Sequence, residues 1–148
     1  MVQKTILLVD DNPNDVFLTT RALKKSNIAN EIVIAHNGLE ALDYLFGKGE
    51  YAGRDLNQMP VVVLLDLKMP KMDGKEVLDR IRKNPLTKLL PVVILTASRE
   101  DVDVISCYKS GCNAYVCKPV DFDHFAEATK QLGLFWLVMN ETPPVAKK

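Results

Sequence analysis

Five short apolar runs, separated by segments of helical periodicity, constrain the fold of this chain more than any other feature of its sequence. The runs occupy residues 5–9, 31–35, 61–65, 91–95 and 114–117. This alternation is typical of β-α units that build a parallel sheet. The first, third and fourth runs are apolar at successive positions, as expected for strands that helices cover on both faces. We therefore expect those three strands at the centre of the sheet.

The segments around the runs predict five helices. Asn12 can cap the first helix, which Pro13 would begin and which we expect to end near residue 26. Apolar residues at helical spacing predict the second and third helices at about 38–46 and 74–83. The fourth would begin with a Ser98–Asp101 capping box and end at Gly111, and the fifth would run from Asp121 toward residue 139. The segment from Gly47 to Pro60 has no periodicity and predicts a long surface loop.

The length of 148 residues fits one domain, which we expect to span residues 1–140, followed by a mobile tail at 141–148. Nineteen basic and nineteen acidic residues cancel, so no overall field would recruit nucleic acid. The apolar runs are far shorter than the roughly 20 residues that span a bilayer, and no signal peptide is recognisable. Three cysteines at five-residue spacing fit no paired zinc pattern and are expected to be reduced thiols. We expect a cytoplasmic protein that binds neither nucleic acid nor membrane.

Polar and charged side chains follow four of the five runs directly. They are Asp10 and Asp11 after the first run, Asp66 after the third, Thr96 after the fourth and Lys118 after the fifth. Because the carboxyl ends of parallel strands meet at one edge of a sheet, these side chains should lie within reach of each other. The sequence therefore predicts a site at that edge.

The chemistry of this predicted site follows from its charges. Three clustered carboxylates would repel each other unless a cation lay among them, and oxygen ligands with room for water favour Mg²⁺. Asp66 could then attack a phosphoryl group, while Thr96 and Lys118 hold its oxygens. The expected product is an aspartyl phosphate.

These segments resemble the receiver domain of bacterial two-component response regulators. The matching segments are Ile6-Leu7-Leu8-Val9-Asp10-Asp11, Asp66-Leu67-Lys68-Met69-Pro70 with Asp73-Gly74, Thr96-Ala97 and Lys118-Pro119, and the match covers about residues 4–139. The resemblance implies a flavodoxin-like, CheY-like fold: a doubly wound five-stranded parallel sheet of order 2-1-3-4-5 with five helices. It also implies phosphotransfer from a sensor histidine kinase and slow self-catalysed hydrolysis, so the protein would be a signalling protein and not an enzyme acting on other substrates.

The resemblance also implies a role for each matching residue. Asp66 would be the phospho-acceptor. Asp11 and Asp66 would bind Mg²⁺ through their carboxylates, Lys68 through its backbone carbonyl, and Asp10 mainly through a bound water. By the same resemblance Ala97, being small, would leave the entrance for the phosphoryl group open.

Two further positions match the pair of residues that, in this family, couples phosphorylation to a change of shape. Thr96 would move toward the phosphoryl group, and the ring of Tyr115 would turn inward to fill the space. A cis peptide between Lys118 and Pro119 would aim the lysine at the site. We expect Lys71, Lys75 and Arg82 to form a solvated face.

The long loop and the apolar ending of the fifth helix, at 134–139, are similar to stand-alone regulators that accompany bacterial phytochromes. This similarity implies a phytochrome as the kinase. The apolar ending suggests a homodimer formed by helix four, strand five and helix five, although the same side chains could instead pack under the tail. Only 30 residues follow Lys118, too few for an output domain, so the signal would leave through a downstream phosphotransfer or effector protein.

Three other functions fit parts of the same sequence. A haloacid-dehalogenase-like phosphatase also has an aspartate nucleophile, but that residue follows the first strand within Asp-x-Asp, unlike Asp66. A flavodoxin-like electron carrier would have hydroxyl and backbone donors where this chain has acids that repel a phosphate. A pseudo-receiver acting only as an interaction module would react with no phosphodonor. The sequence names neither the kinase and its stimulus nor the target, the phosphate lifetime or any link between phosphorylation and dimerisation.

Overall fold

A computed structural model describes residues 5–25, 31–97, 100–118 and 123 of the chain. The strands are β1 (Thr5–Val9), β2 (Glu31–Ala35), β3 (Val62–Asp66), β4 (Val92–Thr96) and β5 (Ala114–Cys117). The helices are α1 (Pro13–Lys25), α2 (Gly38–Phe46), α3 (Gly74–Lys83) and α4 (Asp101–Lys109). The predicted fifth helix, the cis peptide and the tail lie outside the described residues, apart from Asp123.

All five strands are parallel and pair in the order β2-β1-β3-β4-β5, which confirms the predicted doubly wound sheet. Every residue of β1, β3 and β4 is buried, whereas β2 and β5 are partly exposed at the edges. The continuous apolar character of the three central strands is therefore explained by cover on both faces.

Alternate residues of the strands supply two apolar layers, one on each face of the sheet. Leu7 and Val9 belong to the larger layer, which α2, α3 and α4 cover. Ile6 and Leu8 belong to the smaller layer, against which Leu23 of α1 packs. The helices on both faces thus fix the positions of the strands, whose carboxyl ends share one edge. Among the described residues, no helix is both long and apolar enough to cross a membrane.

The predicted start of α1 is confirmed. The side chain of Asn12 accepts hydrogen bonds from the backbone N–H groups of Asn14 (2.9 Å) and Asp15 (3.1 Å). At α4, the N-cap position is Glu100, whose side chain makes no capping bond. Ser98, which we expected to begin that helix, lies outside the described residues.

The segment 47–60 contains more order than its sequence predicted. A 3₁₀ turn occupies Gly49–Tyr51. The guanidinium of Arg54 lies 4.1 Å from the centre of the Tyr44 ring, and its Nε donates to the backbone carbonyl of Tyr44 (2.7 Å). The Nη1 of Arg54 also donates to the carbonyl of Gln58 (2.9 Å). Arg54 thus fastens the segment to α2.

The expectation that Arg82 lies on a solvated face was wrong. Its guanidinium is half-buried and donates four hydrogen bonds, because α3 ends beside the loops that precede β4 and β5. The acceptors are the carbonyl oxygens of Gly111 (2.8 Å), Leu90 (2.7 Å) and Lys88 (3.2 Å) and the Oδ1 of Asn113 (2.8 Å). Arg82 therefore ties three segments together. Lys71 is exposed and Lys75 is half-buried.

Candidate functional site

Three carboxylates meet at the carboxyl ends of the strands, as predicted. Asp10 follows β1 directly, and its backbone N–H donates to the carbonyl of Ala35 (3.0 Å). Asp66 is the last residue of β3. One oxygen from each of Asp10, Asp11 and Asp66 lies within 4.8 Å of the others. Asp10 and Asp66 are buried, whereas Asp11 is exposed, so the cluster opens to solvent on one side.

Lys118 lies in the same cluster because the strand pairing carries it there. Its backbone N–H donates to the carbonyl of Thr96 (2.8 Å), which extends the β4–β5 ladder by one residue. Its Nζ lies 2.7 Å from Asp10 Oδ2 and 3.5 Å from Asp66 Oδ2. The sequence prediction that acids and this ammonium converge is thus matched by the described geometry.

Sequence reasoning missed Asp15. Its carboxylate accepts a hydrogen bond from Lys118 Nζ (3.0 Å), although the two residues are far apart in sequence. A signal was present, because Asp15 stands in the first turn of α1, the helix that begins at this edge of the sheet. An acid in the first turn of a helix also interacts favourably with the helix dipole. Its position alone therefore does not predict a contact with Lys118.

A cleft of about 480 Å³ opens at this cluster, and its lining includes Asp11, Asp15, Asp66 and Lys118. Thr96 is buried in its wall and exposed Ala97 stands at its mouth. Lys68 also lines the cleft, and its ammonium is 3.5 Å from a carboxylate oxygen of Asp103 on α4. Tyr115 lies elsewhere: it is partly buried on β5 and packs against the larger apolar layer.

Burial and crowding change the proton affinity of two groups in the cleft. Burial, together with the negative charge of Asp10, raises the pKa of Asp66 from 3.8 to about 6, although Lys118 opposes the shift. For Lys118, burial lowers the pKa, but the hydrogen bonds to Asp10 and Asp15 and the charge of Asp66 outweigh it, so its pKa is raised. The charge of Lys118 therefore offsets only part of the cost of burying the Asp66 carboxylate.

Gly74 sets the position of the Asp66 backbone. A Cβ atom on this residue would lie 2.2 Å from the carbonyl oxygen of Asp66, closer than any real contact. The backbone N–H of Gly74 donates to the carbonyl of Leu67 (2.9 Å). The absence of a side chain thus lets α3 begin directly against the end of β3. The sequence motif includes this glycine, but only the structure explains why residue 74 must be a glycine.

The donor set fits a hard divalent cation. The three aspartates offer only oxygen, and one of them is open to solvent. With Asp15 they make four carboxylates around the single ammonium of Lys118, so the acids outnumber the cation. Mg²⁺ prefers such oxygen ligands and retains several waters. The residues present therefore fit the ion that the sequence predicted.

Comparisons with known proteins agree with this geometry. The family model for the response regulator receiver domain matches residues 6–130. Response regulator Rcp1 of Synechocystis sp. is 40% identical over 134 residues, which cover 90% of this chain and 89% of Rcp1. The solved structure of the bacteriophytochrome response regulator AtBRR is 49% identical with a TM-score of 0.85, covering 95% of this chain and 100% of AtBRR. A Mn²⁺-bound structure of Rcp1 is 39% identical with a TM-score of 0.75, covering 96% and 99%.

The match extends over nearly the whole chain and includes every segment that carries the site. Proteins of this family bind Mg²⁺ in the acidic pocket, interact with histidine kinases and are phosphorylated on an aspartate. The chain belongs to the response regulator receiver domain family, and within it the chain is related to phytochrome response regulators.

Proposed function

We propose that this protein accepts a phosphoryl group on Asp66 from a histidine kinase and that phosphorylation switches its contacts with other proteins. The observation that carries the proposal is the contact between Asp66, Lys118 and the other acids in one cleft. A carboxylate with a lysine ammonium at 3.5 Å is suited to receive a phosphoryl group whose oxygens need a cation.

The proposed chemistry is a transfer between two nucleophiles. An oxygen of Asp66 attacks phosphorus while the bond to the imidazole nitrogen of the donor breaks, and the nitrogen keeps the electron pair. Lys118 and Thr96 hold the peripheral oxygens. When bound, Mg²⁺ supplies positive charge beside the transferring group. We infer no activity on other substrates beyond this transfer and the hydrolysis of the aspartyl phosphate.

The proposed metal ligands are the carboxylates of Asp11 and Asp66, the backbone carbonyl of Lys68, and Asp10 through a bound water. The described geometry supports the three acids by their closeness. It supports a main-chain role for Lys68, because its ammonium lies near Asp103 on α4.

The proposed response is a shift between two shapes. Thr96 is buried at the cleft, and Tyr115 stands on the neighbouring strand, partly buried against the core. We propose that Thr96 moves toward the phosphoryl group and that the ring of Tyr115 then turns further inward. Phosphorylation would bias this equilibrium.

The proposed partners are a bacterial phytochrome kinase, a downstream phosphotransfer or effector protein, and a second copy of the chain. The similarity to AtBRR, a bacteriophytochrome response regulator, supports the phytochrome. For a homodimer through helix four, strand five and helix five, the support is the exposure on α4 of Val102 (67%), Ile105 (54%) and Tyr108 (50%).

We further propose a receiver domain at 1–140 with a tail at 141–148. A cytoplasmic location is supported by three cysteines that form no disulfide.

The first test is incubation with acetyl phosphate and Mg²⁺, followed by intact-mass measurement at early times. The wild type should gain one phosphoryl group, and the gain should vanish with a chelator or with Asp66→Asn. Asp55→Asn, which alters an exposed acid of the segment 47–60, is the matched control and should react normally. A folded wild type that forms no adduct, even at the shortest times, would instead be an interaction module without phosphotransfer.

The second test addresses the kinase. A phytochrome histidine kinase loaded with radioactive phosphate should lose its label to the wild type within minutes and retain it with Asp66→Asn. Label that stays on the kinase, with a wild type that reacts with acetyl phosphate, would reject the phytochrome but keep the acceptor.

A further inference from the structure

An apolar groove lies between α2, the end of α3 and the segment 47–60. Its volume is about 650 Å³, within the range of protein binding sites. Leu39 and Leu86, which line it, are 61% and 48% exposed. Single exposed leucines are common, but two beside one groove form a patch of the kind that marks an interaction site. We call this feature the α2–α3 groove.

The groove has the shape of a site for a third helix. Leu39, Leu42 and Phe46 are spaced i, i+3 and i+7 along α2, so they form one continuous apolar row. Leu56 forms part of the opposite wall. A row of this spacing beside an apolar wall is the arrangement in which proteins hold amphipathic helices.

The wall that contains Leu56 is ordered before any partner binds. Arg54 fastens the segment 47–60 to Tyr44 through the hydrogen bond and ring contact described above. Leu56 also lies against Gly47, where an added Cβ would be 3.2 Å from its side chain. A preformed wall reduces the entropy that binding must overcome.

The rim of the groove is positively charged. Lys48, Arg80 and Lys83 line it, together with a single acid, Asp43. Arg80 is already paired with Glu76 at 2.9 Å. Lys48 and Lys83 are exposed and make no ion pair within the described part of the chain. The unbalanced charge favours a partner that carries acids.

We propose that the α2–α3 groove binds an amphipathic helix of a partner protein, with large aliphatic residues on one face and glutamates or aspartates on its flanks. The groove shares no lining residue with the acidic cleft, so this contact is separate from phosphoryl transfer. An acidic helix is repelled by the carboxylates of the cleft and attracted by the rim of the groove, which directs it to this face.

The test uses two synthetic helical peptides and the full chain. Both peptides carry leucines at i, i+3, i+4 and i+7; one has glutamates on the flanks and the other has lysines. Fluorescence anisotropy should show saturable binding of the acidic peptide to the protein and no saturable binding of the basic peptide. Leu39→Ser and Lys83→Glu should each weaken it about tenfold. Leu89→Ser is the matched control, because Leu89 is 89% exposed on the α3–β4 loop but does not line the groove.

Three outcomes would overturn the proposal. The first is no saturable binding of the acidic peptide. The second is equal binding of both peptides, or equal loss with Leu39→Ser and Leu89→Ser, which would indicate a non-specific apolar contact. The third is concentration-dependent self-association in sedimentation that Leu39→Ser abolishes, because the occupant would then be a second copy. Phosphorylation of every variant by acetyl phosphate reports that the fold and the cleft are intact.

Discussion

Two half-buried cations, Lys118 and Arg82, stand at opposite ends of the sheet and differ in what surrounds them. Lys118 at the carboxyl ends lies within 3.5 Å of three carboxylates. Arg82, beside the amino ends of β4 and β5, donates to three carbonyl oxygens and one amide oxygen. Neutral acceptors satisfy a guanidinium without leaving residual charge, whereas several acids around one ammonium leave an excess. The contacts of Arg82 hold the fold together, whereas the acids around Lys118 form a site that attracts another cation.

The largest expected effect is on the Arg82 side of this comparison. Arg82→Met keeps the aliphatic stem but removes four hydrogen bonds and leaves half-buried acceptors without a donor. We expect the free energy of unfolding to fall by about 3 kcal/mol in urea titrations. Arg80→Met, which removes an exposed ion pair, should cost no more than about 0.5 kcal/mol. Equal losses of unfolding free energy for the two variants would mean that Arg82 contributes no more to stability than an exposed arginine.

The next effect is a gain in stability at the other end. In the folded protein the pKa of Asp66 is about 6, above the ordinary value of 3.8, chiefly because the side chain is buried. The folded state therefore holds more protons than the unfolded state between these values, and the free energy of unfolding falls as pH rises through this window. Asp66→Asn should be more stable than the wild type by up to about 3 kcal/mol at pH 7 with a chelator present.

This difference should disappear below about pH 3, because both states of the wild type are then protonated at this position. Urea titrations at several pH values measure it. A variant that is less stable than the wild type at pH 7 would mean that the attraction of Lys118 exceeds the cost of burying the Asp66 carboxylate, and Lys118 would then stabilise the fold as Arg82 does.

A cation should remove part of the same excess charge. Mg²⁺ at about ten times its dissociation constant should stabilise the wild type by about 1.4 kcal/mol, seen as a higher melting temperature. Asp66→Asn should lose most of this response and Asp55→Asn should keep it. If Arg82→Met lost the response as well while still folded, the two ends of the sheet would be coupled.

The smallest expected effect concerns Asp15, the acid that only the structure placed beside Lys118. Its side chain is 33% exposed, so solvent weakens its ion pair. Asp15→Asn should change the free energy of unfolding by about 0.5 kcal/mol or less. A loss of stability near that of Arg82→Met would show that the contacts of Lys118 also hold the fold together.

Much of the site could be predicted because strand ends in a parallel sheet are readable from sequence. Asp10, Asp66 and Lys118 each follow an apolar run, and their convergence needed only the rule that such ends share an edge. The roles of Arg82 and Asp15 could not be read in this way. Each depends on a side chain that reaches a segment distant in sequence, and no local pattern encodes such a contact.

The sequence by itself determined the alternation of strands and helices, the central position of β1, β3 and β4, and the identity of the groups at the strand ends. It could do so because burial on both faces and helical periodicity are local properties of the chain. Only the tertiary structure decided how far the pKa of Asp66 rises, why Gly74 has no side chain, and where the α2–α3 groove opens. These properties depend on distances between segments that meet only when the chain is folded.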